Sequence, residues 1–342
     1  MHFKRRTVLS GLLGLSIPLI ASSCTSHSST STTASSTTAS NSAATPSASP
    51  DGIVRIGYQK STELDLLRAR GELDQKLKGL GATVEWSLFS SGPPMLEAMN
   101  AGKIDFGGVG DAPPIFAQAA GGQFYYVSVT PLSAETQDIV VPKDSPIQTP
   151  ADLKGKKIAL AKGSSAHYLL LRTLADANLS VDQVEVVALS PADARAAFEQ
   201  GDVDAWSIWD PFLSVAQKNG NIRDLKVGRE RRNYFLASQQ FTKDQPVLLK
   251  AVLEETKENG DWVAQNIKTV AQKFAKDIKV NEDVLEKVYQ RRSWQVLPVD
   301  NKIQTVQQEV ADTFYKSKII PKSIQVKDAF LPPEEYAKIF PS

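Results

Sequence analysis

The chain has 342 residues, of which 23% are charged and 42% hydrophobic, with a formal net charge of +1. That length suits two ordinary domains, and the composition suits a soluble globular protein. Omitting Lys4, Arg5 and Arg6 leaves 36 basic residues against 38 acidic ones, a net of −2, which gives a nucleic-acid partner no electrostatic footprint.

Residues 1–23 read as a signal peptide. The basic segment Lys4-Arg5-Arg6 precedes an apolar run from Val8 to Ala21, too short for a membrane span of about 20 residues. Ser22-Ser23-Cys24 closes the run in the manner of a lipobox, although Ala21 stands where such boxes usually carry leucine. Arg5-Arg6-Thr7 also fits a twin-arginine signal, so Sec and Tat export both stay open. Cys24 is the only cysteine, so no internal disulfide forms, and it is the expected site of lipid attachment. Residues 24–50 are Ser/Thr-rich with no Lys, Arg, Asp or Glu. They read as a disordered tether, because they offer too little apolar surface to pack.

From Asp51 onward the pattern alternates. Strands are predicted at 53–59, 83–89, 104–109 and 124–130, with helices at 63–78, 93–100 and 113–120 between them. A second series places strands at 157–161, 184–189 and 203–208, with helices at 167–177, 192–199 and 211–218. Such alternation predicts largely parallel sheets covered by helices. Segments near Gln137–Val141 and Tyr234–Ser238 also read as strands, and are expected to link two lobes as a hinge. Three helices are predicted over 247–276, 282–292 and 302–316, returning to the first lobe. The expected division is a lobe of residues 51–137 plus 236–342 and a second lobe of 138–235, with a ligand cleft between them.

Four strand-to-helix junctions share one grammar. They are Ser90-Ser91-Gly92-Pro93-Pro94, Gly110-Asp111-Ala112-Pro113-Pro114, Gly163-Ser164-Ser165-Ala166-His167 and Trp209-Asp210-Pro211-Phe212. Small polar residues and proline suit the first helical turn. The N–H groups there have no internal partner and carry roughly half a positive charge from the helix dipole. Such ends receive anions without help from Lys or Arg. Each junction is equally what an ordinary βα turn looks like, so both readings stay open. Asp111 and Asp210 read as N-caps, or as carboxylates that receive an ammonium group. His167 reads as a capping or packing histidine, or as a donor to a ligand oxygen. Trp209 reads as core, or as cleft wall. Arg291, Arg292 and Trp294 fall in a break between late helices and read as a solvated turn.

Other chemistry lacks support. Gly108-Val109-Gly110 starts a dinucleotide fingerprint that proline ends at position 113. His2 and His27 precede the domain, so His167 stands alone there, and one histidine without cysteine makes no usual zinc site. No G-x-S-x-G elbow is present to set up a serine nucleophile. No cofactor, no metal and no catalytic residue is therefore expected.

Over residues 53–331 the chain resembles the substrate-binding proteins of ABC importers for aliphatic sulfonates. The likeness rests on Ile56-Gly57-Tyr58-Gln59-Lys60, on the four junctions above, on Ser190-Pro191-Ala192-Asp193-Ala194, and on Asp204-Ala205-Trp206. Late in the chain Ala311-Asp312-Thr313-Phe314-Tyr315 and Ile320-Pro321-Lys322 extend it. The resemblance implies a type II periplasmic binding fold, with two α/β lobes joined by two crossing segments around a ligand cleft. It implies a small anionic sulfonate ligand, a membrane permease and a cytoplasmic ATPase as partners, and a monomeric protein outside the cytoplasm, in the periplasm or at the outer face of the cell membrane. It carries ligand contacts to Gln59, Ser91, Gly92, Gly110, Asp111, Ala112, Ser164 and Ser165, with His167, Trp209 and Asp210. Tyr58 and Trp209 would supply the apolar wall for the organic tail. Related binders of taurine, nitrate and pyrimidine vitamin precursors share the scaffold and are the alternatives for the ligand. Pyrimidine-making enzymes on this scaffold carry a cysteine-rich segment, which this chain lacks.

Overall fold

The computed structural model describes residues 52–340 except Ala134. The expected signal peptide, Cys24 and the tether lie outside the described residues.

The first stretch builds β1 (Ile53–Tyr58), α1 (Glu63–Arg70), α2 (Glu72–Gly79), β2 (Thr83–Leu88), α3 (Gly92–Asn100), β3 (Phe106–Val109), α4 (Ala112–Ala119) and β4 (Phe124–Val129). The single helix expected over 63–78 is two. Gly71 adopts φ 82°, and its N–H donates to the Leu67 carbonyl to close α1. A left-handed residue ends a helix in this way, and glycine takes that conformation without steric cost.

The second stretch builds β5 (Gln137–Pro142), β6 (Lys157–Leu160), α5 (Ser165–Asp176), β7 (Glu185–Ala188), α6 (Pro191–Gln200), β8 (Ala205–Trp209), α7 (Phe212–Asn219) and β9 (Ile222–Asp224). The chain then returns through β10 (Tyr234–Ser238) and α8 (Gln239–Asp244). It ends in α9 (Pro246–Gln265), α10 (Ile267–Ile278), α11 (Glu282–Gln290), α12 (Asn301–Lys316) and α13 (Pro333–Ile339). The predicted helix over 247–276 breaks at Asn266, whose side-chain amide donates to the Trp262 carbonyl.

Two five-stranded sheets result, in the orders β2-β1-β3-β10-β4 and β7-β6-β8-β5-β9. They are mixed rather than largely parallel. β10 runs antiparallel to both β3 and β4, and β5 runs antiparallel to both β8 and β9. The two segments expected as hinge strands are thus interior strands of the sheets. Their apolar side chains, such as Ile139, Val140, Phe235 and Leu236, are fully buried, so their strand signal is a core signal. The chain crosses between sheets in the polar segments beside them, 130–136 and 228–233. These pair antiparallel: Ser133 and Arg231 exchange backbone hydrogen bonds of 2.8 and 3.1 Å, and Thr130 N–H donates to the Asn233 carbonyl at 2.9 Å.

Each sheet is packed on both faces. Ile104, Phe124, Tyr126 and Phe314 fill one side of the first sheet, and Val54, Phe235 and Leu249 the other. Ile158, Leu170 and Ala205 face Trp206, Phe198 and Leu213 across the second. A helical cluster around Phe274, Leu285, Tyr289 and Trp294 packs on Leu66 of α1, which ties α10 and α11 to the first sheet. Trp294 is therefore core and not part of a solvated turn.

Candidate binding cleft

The parallel strands of both sheets end facing one another, the usual place for a ligand in open α/β sheets. A cleft of about 520 Å³ lies there. Gln59 follows β1, Leu88 to Ser90 end β2, and Gly110 follows β3. From the other sheet come Ser164 after β6, Pro191 after β7, and Trp209 with Asp210 at the end of β8. Gly92, Ser165 and Phe212 bring the N-termini of α3, α5 and α7 to the same space.

Of the residues expected in the site, Gln59, Gly92, Gly110, Ser164, Ser165, Trp209 and Asp210 line the cleft. Ser91, Asp111, Ala112 and His167 do not, and each has a physical reason. Ser91 is buried behind its neighbours Ser90 and Gly92. The Ala112 N–H is taken by the Asp111 carboxylate at 2.8 Å, so it cannot serve an anion. Asp111 is itself buried. Burial pushes its carboxyl up, while the Ser165 hydroxyl across the cleft and the Arg231 charge hold it down. It links α4, α5 and the second crossing segment. His167 is buried on Phe116 and Phe314, and its Nδ1 accepts from the Gly163 N–H at 3.2 Å. Burial and the nearby Lys162 push its pKa down to about 4, so it is a neutral acceptor there. Tyr58 also lies off the cleft, under the Arg68 guanidinium and edge-on to Trp86.

The donors differ from those expected. The Ser164 hydroxyl donates to the Ala161 carbonyl at 2.7 Å, the Ser165 hydroxyl serves Asp111, and one Gln59 amide N–H donates to the Gly108 carbonyl at 3.1 Å. Beside the N-terminus of α5 the cleft also holds two buried arginines. Arg231 and Arg292 line the cleft, both only 8% exposed. Arg231 Nη1 donates to Asn233 Oδ1 at 3.0 Å. Burial and the neighbouring Arg292 push its guanidinium down, and Asp111, Glu63 and Asp210 hold it up. Arg292 donates through Nη1 to the Ser61 carbonyl and through Nη2 to the Asp210 carbonyl at 3.1 Å, so it joins the ends of both sheets and is no solvated turn. The Nε atoms of both arginines are buried without a protein partner. The cleft therefore carries buried cations that a reading of helix N-termini alone does not include.

Gly110 sits where those groups converge. A Cβ there would overlap Ser165 Oγ and lie 3.4 Å from Arg231 Nη1, so a side chain at this position would displace the Ser165 hydroxyl. Asp210 is fully buried. Its Oδ1 accepts from the Ser214 N–H at 3.1 Å and the Ser214 hydroxyl at 2.6 Å, and its Oδ2 lies 2.8 Å from Arg291 Nη2. Burial pushes this carboxyl up, and Arg291 opposes the shift. The opposite wall is apolar, from Phe89, Trp209, Phe212, Val215 and Ile278, with Trp209 edge-on to Phe212.

The NMT1/THI5-like family model matches residues 90–268. A putative aliphatic sulfonates-binding protein of Escherichia coli K12 is 38% identical over 292 residues, covering 84% of this chain and 91% of its own. The chain belongs to the aliphatic sulfonate-binding protein family. A second such relative, from Bacillus subtilis 168, is 33% identical over 281 residues, covering 80% of this chain and 84% of its own. Among solved structures, the alkanesulfonate-binding protein SsuA of Xanthomonas axonopodis pv. citri, bound to MOPS, superposes with a TM-score of 0.78 at 36% identity. The match covers 83% of this chain and 99% of that one. The architecture of this sulfonate-binding family member is the type II periplasmic binding fold, two α/β lobes around a cleft.

Proposed function

We propose that this protein is the extracytoplasmic solute-binding component of an ABC importer, capturing aliphatic sulfonates and delivering them to a membrane permease served by a cytoplasmic ATPase. The carrying observation is the cleft itself, lined by the buried Arg231 and Arg292, with Arg231 and the N-terminus of α5 meeting at Gly110. A sulfonate is a permanent monoanion with three acceptor oxygens and no proton to give. A cleft rich in charged donors suits it, and charge-assisted hydrogen bonds of about 1.5–3 kcal/mol each support micromolar capture once association costs are met. The tail would lie along Trp209 and Phe212. Closure about the paired crossing segments would bury the ligand and form the surface that the permease reads. No histidine or cysteine lines the cleft among the described residues, which supports a binder over an enzyme, and we take that binder to be a monomer. Taurine, nitrate and pyrimidine precursors remain the competing solutes.

A thermal-shift titration tests this reading. An alkanesulfonate at a hundred times its dissociation constant is expected to stabilise the protein by about 2.7 kcal/mol, with no shift from nitrate or sulfate. A response to nitrate or a pyrimidine alone would discard the sulfonate.

Export by residues 1–23, lipidation of Cys24 and a tether over 24–50 complete the proposal, with the protein in the periplasm or at the outer face of the cell membrane. Cys24→Ser is expected to move the protein from the membrane fraction to the soluble fraction. Retention in the membrane would remove Cys24 as the anchor.

A further inference from the structure

The cations of the cleft stand in two tiers. Arg231 and Arg292 are buried on the floor, whereas Lys60, Arg195 and Lys279 line the same cleft near solvent. The upper three come from separate elements: the loop after β1, helix α6 and the C-cap of α10. Lys60 makes no ion pair among the described residues. Arg195 has only Glu199, one turn along its own helix at 2.7 Å, with both side chains well exposed. Such a solvated pair is worth little and yields readily to a ligand. The one acid lining the cleft is Asp210, and its carboxylate is committed to Arg291 and Ser214. The cleft is therefore positive from floor to rim, with no uncommitted carboxylate among the described residues that line it.

A sulfonate seated on the floor uses the lower tier. Its far end then meets cations at the rim and nothing that would welcome an ammonium group. We propose that the solute carries a second anionic group, a carboxylate or another sulfonate, at the end remote from the seated sulfonate, and that Lys60 and Arg195 receive it. The apolar wall supports the short carbon chain between the two charges. This assignment deepens the sulfonate reading above and rests on it. Rim cations that only steered ligands inward would speed association of every anion alike. A rim that holds a second charge separates dianions from monoanions at equilibrium.

Calorimetric titration of the protein with three ligands of similar size separates these cases. Sulfopropionate has a carboxylate at its far end, propanesulfonate a methyl group and taurine an ammonium group. Sulfopropionate is expected to bind about tenfold tighter than propanesulfonate, and taurine about tenfold weaker, the scale of two half-solvated charge contacts. The gain for sulfopropionate should shrink as salt rises, since exposed charges are screened. In the double variant Lys60→Gln/Arg195→Gln the ratio between sulfopropionate and propanesulfonate is expected to fall below about threefold. Equal affinity for these two ligands in the unaltered protein overturns the inference and leaves the sulfonate reading intact. A ratio that survives the double substitution overturns the assignment to Lys60 and Arg195. Binding of neither ligand, with a response to nitrate or a pyrimidine, overturns the underlying reading as well.

Discussion

Replacing Arg231 with methionine is expected to lower the affinity for an alkanesulfonate by about a hundredfold or more, equivalent to about 2.7 kcal/mol. Arg231 lies on the cleft floor beside Gly110, buried, with a guanidinium nitrogen that has no protein partner. Two charge-assisted hydrogen bonds to a sulfonate at about 1.5–3 kcal/mol each account for a loss of that size. Arg231→Lys should fall between, because an ammonium keeps the charge and loses the planar fork. The substitution also acts on the fold. Asp111 and Glu63 lose a buried cation, and uncovering a buried charge costs about 3–5 kcal/mol, a fall in Tm on the order of 10 °C. The pH dependence has a definite sign. Burial already raises the Asp111 carboxyl, and Arg231 opposes that shift. Without Arg231 the folded carboxyl rises further above its unfolded value, so the folded state takes up a proton more readily. Stability relative to the parent should recover as the pH falls through that raised value. Calorimetry at neutral pH and Tm across acid pH together check both halves. An affinity within about threefold of the parent would show that Arg292 and the helix N-termini suffice without Arg231.

The helix N-termini were legible because their signal is local. Proline after small polar residues at a strand's end marks the junctions, and the structure brings Gly92, Gly110, Ser165 and Phe212 to one cleft. The cations were not legible. Residues 229–232 raised no expectation in the sequence, yet the structure pairs the Arg231 backbone with Ser133 and buries its side chain in the cleft. A signal was nonetheless available. In an extended segment alternate residues share a face, and Arg231 and Asn233 line the cleft together. Arg292 depends on packing still farther away, where Tyr289 and Trp294 seat the end of α11 in the helical core. The misplaced hinge has the same origin. Buried apolar runs at β5 and β10 carry strong strand signals, and their place inside a sheet is set by long-range pairing. Residues such as Ala112 and His167 stay off the cleft lining for a subtler reason. They stand at the right junctions, but the Asp111 carboxylate takes the Ala112 N–H, and His167 is buried on Phe116 and Phe314 away from the cleft lining.

Asp210→Ala is expected to destabilise the protein by about 3–5 kcal/mol, the usual cost of breaking a buried pair from one side. The carboxylate is wholly buried, and its partner Arg291 is 25% exposed in its side chain, so part of the cost is relieved by water reaching the guanidinium and the lower end of that range applies. The pair joins β8 of the second sheet to the end of α11, which packs with the first. Lys218–Asp283 joins α7 to α11 close by, but its side chains are 40% and 60% exposed. Breaking that pair should cost less than about 1 kcal/mol. If Asp210 acts through Arg291, the double variant Asp210→Ala/Arg291→Met should be more stable than the sum of its single losses, because no uncompensated charge remains. A coupling of at least about 1 kcal/mol in denaturant unfolding checks this. Additive losses would assign the cost to the Ser214 hydrogen bonds instead. The same variant should bind sulfonate more weakly even though Asp210 repels anions. Loss of the pair removes a contact that holds the two sheets together over the ligand, and closure then draws on the energy of binding.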